Sequence, residues 1–456
     1  ELQYILSEGS LGTITLNGLQ NANTLFAFSG NGINSTILTE NDIGGTADSL
    51  DIQLLEAKNV SFQAPLGYEI LNVELNGSSS LNHLLASGIS TTSMSGTGDL
   101  AVGFDFTGLN SFSAVDLSGK FSGNETDEQG YSTNGIVSSK LGTSVYLGSD
   151  ADNLLFLDKA DNNSLNTIYL GAGDDKIHIN LASNSQNLIF GDDGNDYIKF
   201  SGNKITQNEV IDGGEGLDTV IVSQSHNNNF NFLNIENIIF KNNASGNNSF
   251  EKIDAPLSVT IETGMNGVPS NFSILNLPSA SNTTVSNALG QVAGLGSFSK
   301  TYYDFEPIDT INVNSKKTSG DFHTGNIGVV TLNFNDLVDA IDNDFKFDNA
   351  TKVIINADKD FAIRDFIGNI SPAIDNLKEL SISGNGVVAI EKTQNANNLE
   401  IFSSISNDSF SVKELGSGAL TEVSLESLNG DLSIEKINAS NLGNIASINL
   451  IAKGII

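Results

Sequence analysis

The chain has 456 residues, enough for two to four domains. It carries 54 acidic residues against 21 basic ones, a net charge of −33, which argues against a nucleic-acid partner because such partners need a basic surface. There is no cysteine, so disulfide bonds do not stabilise it, and no run of 18 apolar residues predicts a transmembrane helix. The sequence begins at Glu1 without a recognisable leader, which we interpret as a processed product or a piece of a longer polypeptide.

Residues 1–145 alternate apolar and polar side chains with a period of two, the pattern of half-buried strands. Strands are predicted at residues 12–17, 50–54, 70–75 and 100–106, with Asn, Gly and Ser turns between them. The repeat is ragged, and we expect a β-solenoid rather than a sandwich. Residues 80–86 carry a spacing typical of a short helix, and residues 125–128 form an acidic loop that we expect to be a solvated turn.

Residues 146–240 contain a glycine- and aspartate-rich repeat of the form G-G-x-G-x-D-x-U, where U is a large apolar residue. Residues 213–220 match at every fixed position, and residues 170–177 and 191–198 each depart at one glycine. A weaker copy at residues 147–154 keeps the second glycine, the aspartate and the apolar residue. The final aspartates are Asp152, Asp175, Asp196 and Asp218, separated by 23, 21 and 22 residues, a length that fits two strands and two turns per coil.

These residue types suit calcium. Glycines let the backbone turn its carbonyl oxygens inward, and aspartates add the hard carboxylate oxygens that calcium takes six to eight at a time. One loop supplies half a cage and the next loop supplies the other half, so four loops predict about three ions along one edge of a roll. The predicted metal-site residues are Gly148, Asp150, Asp152, Gly171, Gly173, Asp175, Gly191, Asp193, Gly194, Asp196, Gly213, Glu215, Gly216 and Asp218.

The remaining sequence divides at residue 330. Residues 241–330 lose the regular spacing and predict an irregular connecting or projecting β segment. Residues 331–456 restore a repeat: copies begin at Asn376, Asn398, Ala419 and Asn441, separated by 22, 21 and 22 residues. A second strand is predicted half a period after each of the first three, at residues 386–392, 409–413 and 430–436. This predicts a C-terminal β-solenoid with the coil length of the roll but without its calcium loops. Residues 335–343 carry a helix-like spacing.

No catalytic pattern stands out in the sequence. The four histidines, His83, His178, His226 and His323, lie outside any H-E-x-x-H zinc motif, there is no G-x-S-x-G nucleophile elbow, and a cysteine nucleophile cannot exist. Sugar lyases of β-helical fold need basic residues to neutralise a sugar carboxylate, and this chain has a single arginine, Arg364. We therefore expect a protein that is not an enzyme.

The repeat at residues 147–222 resembles that of the RTX family, the calcium-dependent β-roll proteins that Gram-negative bacteria export by type I secretion. The resemblance implies an all-β fold: a calcium-binding parallel β-roll flanked by parallel β-solenoid arms. The Asn/Ser/Thr-rich, cysteine-free arms and the lack of catalytic motifs are similar to RTX-type surface-layer (S-layer) proteins, which form a lattice outside the cell. The alternative is the stalk or binding region of a large secreted RTX adhesin, for which residues 241–330 are the candidate contact region.

The resemblance also implies partners and a location. We expect a secreted protein at the cell surface that self-assembles through lateral contacts between copies, some of them bridged by calcium between acidic faces. Any anchor to a surface polysaccharide is expected in a part of the polypeptide outside this sequence.

Overall fold

A computed structural model describes these residues of the chain: 4–8, 13–17, 24–30, 34–39, 47–64, 67–86, 88–106, 109–123, 136–138, 144–159, 165–181, 186–202, 205, 208–223, 228–241, 246–250, 253, 257–262, 272–278, 281–286, 292–314, 317–335, 337–347, 350–367, 376–393, 398–415, 419–437 and 447–456. They form an all-β fold of parallel stacked coils, a β-solenoid, as the sequence predicted. No helix among them could cross a membrane.

The chain divides into two compact units, residues 1–222 with 231–235, and residues 223–230 with 236–456. The strands of the first unit are β1 Tyr4–Glu8, β2 Thr13–Asn17, β3 Leu25–Ser29, β4 Asn34–Thr39, β5 Ser49–Leu55, β6 Val60–Ala64, β7 Ile70–Asn76, β8 Ser79–Ala86, β9 Thr91–Thr97, β10 Leu100–Phe106, β11 Ser111–Leu117, β12 Phe121–Gly123, β13 Ile136–Ser138, β14 Ser144–Leu147, β15 Leu154–Lys159, β16 Leu165–Tyr169, β17 Lys176–Leu181, β18 Gln186–Phe190, β19 Tyr197–Gly202, β20 Val210–Asp212, β21 Thr219–Val222 and β23 Phe232–Leu233.

The strands of the second unit are β22 Asn228–Asn229, β24 Asn237–Phe240, β25 Gly246–Ser249, β26 Ser258–Glu262, β27 Phe272–Leu277, β28 Asn282–Ser286, β29 Val292–Asn314, β30 Lys317–Phe334, β31 Leu337–Phe347, β32 Lys352–Ala357, β33 Phe361–Ile367, β34 Glu379–Gly384, β35 Val388–Lys392, β36 Ile401–Ser406, β37 Phe410–Leu415, β38 Glu422–Ser427, β39 Leu432–Ile437 and β40 Ser447–Ala452. The four regions drawn from the sequence, residues 1–145, 146–240, 241–330 and 331–456, remain a prediction.

In the first unit, alternate strands stack into one parallel sheet of eleven strands, in the order β1-β3-β5-β7-β9-β11-β14-β16-β18-β20-β23. The strands between them stack on the opposite side of each coil. Alternation explains the core: Leu50, Ile52 and Leu54 of β5 are buried, and the polar residues between them point outward. Each buried aliphatic or aromatic side chain contributes about 1.5–3 kcal/mol, and a coil buries its apolar face only because its neighbours cover it.

In the second unit, the C-terminal repeat is present as predicted. Strands β34, β36 and β38 stack in register, with Glu379 beside Ile401 and Ile401 beside Glu422, and β35, β37 and β39 stack half a period away. The copy predicted at residues 441–445 lies outside the described residues. The strand that pairs with β38 begins at Ser447, 25 residues after its partner Glu422.

In residues 241–330 the parallel pairing continues, but successive partners are 21, 24 and 28 residues apart.

Two helix expectations were wrong. Residues 80–86 belong to strand β8, and residues 337–343 belong to strand β31. In β8 the pairing register shifts near Asn82 and His83 against both neighbouring strands, which is a β-bulge. The extra residue lets Leu81 and Leu84, three positions apart, both point into the core, so a spacing typical of a helix is satisfied by a strand.

Candidate metal site

Four stacked turns follow β14, β16, β18 and β20 and lead into β15, β17, β19 and β21. These turns, residues 148–153, 170–175, 191–196 and 213–218, are called the loop edge here. All fourteen residues predicted from the sequence lie in them. Glycine is required where the turns stack: Gly194 has a φ of 142°, and a Cβ there would collide with the Gly173 carbonyl of the preceding turn.

The register of the first turn differs from the sequence prediction by one residue. Leu154 pairs with Lys176, so Asn153 and not Asp152 lies beside Asp175. The spacing becomes 22, 21 and 22 residues from Asn153 to Asp218. Asn153 is the member of the loop edge that the sequence did not indicate, and the even spacing that results from starting at Asn153 is the signal that could have found it.

A buried column of four side chains runs through the loop edge: Asn153, Asp175, Asp196 and Asp218, each at most 4 % exposed. In each, Oδ1 accepts the backbone N–H of the aligned residue one coil earlier. The donors and distances are Phe121 at 3.1 Å, Asn153 at 2.5 Å, Asp175 at 2.9 Å and Asp196 at 2.8 Å.

The other predicted carboxylates lie at the surface of the loop edge: Asp150, Asp152, Asp193 and Glu215 are exposed. Asp152 belongs to an outer column in which a side-chain oxygen accepts an N–H from the following coil. Its Oδ1 accepts from Asp174 at 3.0 Å, and Asp174 Oδ1 accepts from Asn195 at 2.8 Å. Asp193 lies beside Glu215 in a parallel bridge. The turns therefore carry an outer layer of acids above the buried column.

The second carboxylate oxygens of the buried column are poorly satisfied. Oδ2 of Asp175 and Oδ2 of Asp196 are buried without a hydrogen-bond donor. A Cβ built on Gly191 would collide with both Asp196 Oδ2 and the Gly213 carbonyl oxygen, so these two oxygens face the same small volume. Two acceptors beside the same small volume repel each other unless a cation or a proton lies between them.

Burial and mutual repulsion disfavour the charged form of these acids. Desolvation raises the pKa of Asp175 to about 9, with a further contribution from Asp196 and Asp152. Desolvation likewise raises the pKa of Asp196 to about 7, with Asp218 adding to the effect. The pKa of Asp192, in the third turn, is also raised by desolvation and by neighbouring aspartates. A bound divalent cation would remove this penalty.

Side chains alone do not make a complete metal site. Within the described ranges, no three carboxylate, histidine or cysteine side chains converge as a metal-ligating group. A cation at the loop edge would therefore depend on backbone carbonyls, such as that of Gly213, together with Asp175, Asp196 or Asp218. Hard oxygen donors of this kind fit calcium rather than zinc or copper.

No model of a known protein family matches the chain, and neither does a curated protein or a solved structure.

Proposed function

We propose that the chain is a structural cell-surface protein, a subunit of a calcium-dependent S-layer lattice that is secreted by a type I system and folds outside the cell. The observation that supports calcium is the buried column, in which Asp175 and Asp196 each hold an oxygen without a donor. An uncompensated buried carboxylate opposes folding, and a cation that neutralises it converts binding free energy into folding free energy.

The location follows from the affinity expected of such sites. Calcium sites of the extracellular type bind with dissociation constants near roughly 10⁻⁴–10⁻³ M, so they stay empty in a cytosol and fill outside the cell. The acidic turns would keep the roll open before export and close it afterwards. The chain's net charge of −33 adds to the repulsion that calcium has to offset.

Assembly between copies is supported by an uncharged outward stripe on the eleven-stranded sheet. Val145 and Leu147 of β14, Leu165, Thr167 and Tyr169 of β16, and Gln186, Leu188 and Phe190 of β18 form it. The Tyr169 and Phe190 rings stack at 4.8 Å between centroids with 13° between their planes. The net negative charge makes copies of the chain repel each other. A contact between two copies is therefore expected on this uncharged stripe, where the repulsion is weakest.

A calcium titration of the purified chain tests the proposal, with circular dichroism for folding and negative-stain electron microscopy for assembly. We expect calcium to raise the β signal and to produce ordered sheets or tubes. A chain whose folding ignores calcium would rule the proposal out. A chain that folds with calcium but stays monomeric at high concentration would favour the adhesin alternative, and a glycan and host-protein screen would follow.

A further inference from the structure

Asn153, the first member of the buried column, differs from the three aspartates in one heavy atom: it has Nδ2 where each aspartate has Oδ2. Asn153 Nδ2 donates to the Ser149 carbonyl at 2.9 Å and to the Leu170 carbonyl of the next coil at 3.1 Å. Its Oδ1 accepts from Phe121 N and from the Ser149 hydroxyl, at 3.1 and 2.7 Å. Every polar atom of this buried side chain is therefore paired within the protein.

The same position in the later turns holds a carboxylate oxygen. The carbonyl of Gly213 lies one coil after Asp196, as that of Leu170 lies one coil after Asn153. The Asp196 Oδ2 and Gly213 carbonyl oxygens each lie 2.2 Å from the point where a Cβ of Gly191 would stand. Asn153 Nδ2 donates a hydrogen bond to the Leu170 carbonyl, whereas Asp196 has a second acceptor, Oδ2, near the Gly213 carbonyl. Two acceptors attract each other only through an added cation or proton.

We propose that Asn153 takes the place of a bound cation in the first turn of the loop edge. This turn closes without metal, and the cation column begins at Asp175. The identity of the cation in the later turns rests on the proposed function, but the role of the Asn153 amide does not.

The position of Asn153 explains why an amide in place of a cation would be useful in the first turn. Its turn is bonded to the coil before it, because Phe121 N donates to Asn153 Oδ1 at 3.1 Å. The Ser149 hydroxyl, whose one proton is shared between Asn153 Oδ1 and the Gly119 carbonyl, lies 3.0 Å from that carbonyl. The turn is thus the junction between coils without the calcium repeat and coils that carry it. A junction held by an amide can form before calcium arrives and present the backbone of residues 153–158 as a template on which the next coil pairs.

Two reciprocal substitutions test the proposal. Asn153→Asp puts a carboxylate where the amide was, and Asp196→Asn puts an amide where the carboxylate was. The thermal unfolding midpoint is measured at pH 8 in EGTA, with enough of the osmolyte TMAO to fold the wild-type chain, and again in calcium. Bound calcium is counted by native mass spectrometry. Asn76→Asp, an exposed position on β7 of the same unit, controls for one added negative charge.

We expect Asn153→Asp to lower the midpoint in EGTA by about 2–4 °C or more relative to the control. Calcium should restore it, with one more ion bound per chain. Asp196→Asn should raise the midpoint in EGTA and reduce the calcium count. A midpoint for Asn153→Asp equal to that of the control, or a lower midpoint for Asp196→Asn in EGTA, overturns the proposal.

If Asn153→Asp does not fold in either buffer, the sign of the Asp196→Asn shift in EGTA decides alone. The two proposals also fail separately. If the wild-type chain binds no calcium but Asp196→Asn still raises the midpoint in EGTA, the amide replacement stands and the calcium function falls.

Discussion

At the scale of the residue, the second oxygen of each buried aspartate is the atom at which the loop edge would bind a proton or a cation. Asp175 and Asp196 each use Oδ1 in a backbone hydrogen bond and leave Oδ2 without a donor. A proton on Oδ2 could donate to a facing carbonyl, and a calcium ion could bind both oxygens. Under the proposed function, protons and calcium would therefore compete for the same atoms.

The first prediction concerns pH in the absence of calcium. The folded pKa values of Asp175 and Asp196, about 9 and about 7, lie above the unfolded value near 3.8. Their stabilising contribution is fully present below the unfolded pKa and is lost as pH rises through the folded values. Urea unfolding in EGTA should give a lower midpoint at pH 9 than at pH 5.

The control for this pH profile is the double variant Asp175→Asn, Asp196→Asn, which keeps the Oδ1 acceptors and removes both titrating groups. Its profile should be flatter than that of the wild-type chain, and the difference isolates the column from the acidic surface. Two profiles of equal slope would mean that surface repulsion alone sets the pH dependence.

The second prediction compares two aspartates of the column in saturating calcium. The turn of Asp196 has a repeat turn on both sides, and the turn of Asp218 is the last copy of the repeat. Asp196→Ala should therefore weaken two adjacent calcium sites, and Asp218→Ala should weaken fewer. Both variants lose one backbone hydrogen bond of the same kind, so each is the other's control. Equal loss of calcium affinity, measured by isothermal titration calorimetry, would contradict stacked, shared sites.

At the scale of the element, the C-terminal coils hold together without the calcium repeat. Their inward positions are apolar, for example Phe402, Phe410 and Val412, and the Phe402 and Phe410 rings lie 6.4 Å apart. Their outward positions carry ion pairs between successive coils, such as Lys413 with Glu391 and Lys436 with Glu414, both at 2.6 Å. Exposed ion pairs contribute little to stability, so packing is the main stabilising term.

The third prediction tests that balance. Phe410→Ala leaves a cavity in the core and should cost about 3–5 kcal/mol in the free energy of unfolding. Lys413→Ala, three residues away on the same strand but facing solvent, should leave the denaturant midpoint unchanged within error. Urea titrations followed by circular dichroism measure both. A larger loss from Lys413→Ala than from Phe410→Ala would show that the ion pairs, and not the core, hold these coils.

At the scale of the whole molecule, the proposed lattice depends on a surface that lies beside the loop edge and contains none of its acids. The stripe around Tyr169 lies on strands β14, β16 and β18, which end at the loop edge. Calcium bound at that edge would neutralise the acids next to the stripe and let a second copy approach. Folding and assembly should therefore both require calcium, but a substitution on the stripe should block assembly and leave folding intact.

The fourth prediction uses two tyrosines of equal exposure on opposite sides of the coil. Tyr169 lies on the stripe and Tyr197 lies on β19, and each is 38 % exposed. Tyr169→Asp should abolish ordered assemblies in calcium while leaving the calcium-dependent rise in β signal intact. Tyr197→Asp adds the same charge and should still assemble. If only Tyr197→Asp blocks assembly, the contact lies on the other sheet.

The sequence by itself determined the coil. A period of 21 or 22 residues and an alternation of apolar side chains are local patterns, so they predicted parallel stacked strands, the loop edge and the C-terminal repeat. Three members of the buried column, Asp175, Asp196 and Asp218, could also be identified from the sequence, because glycines mark the turns before them.

Only the tertiary structure decided register and environment. Asn153 replaced Asp152 in the column because pairing of Leu154 with Lys176 sets the alignment, and a one-residue slip leaves the residue composition of the turn unchanged. The spacing of Leu81 and Leu84 is typical of a helix, but both lie in strand β8, where a bulge lets them face inward. Here too the neighbouring coils, and not local propensity, fix which side chains face the core. Burial then separated the acids, leaving Asp196 at 0 % exposure and Asp152 in the outer column.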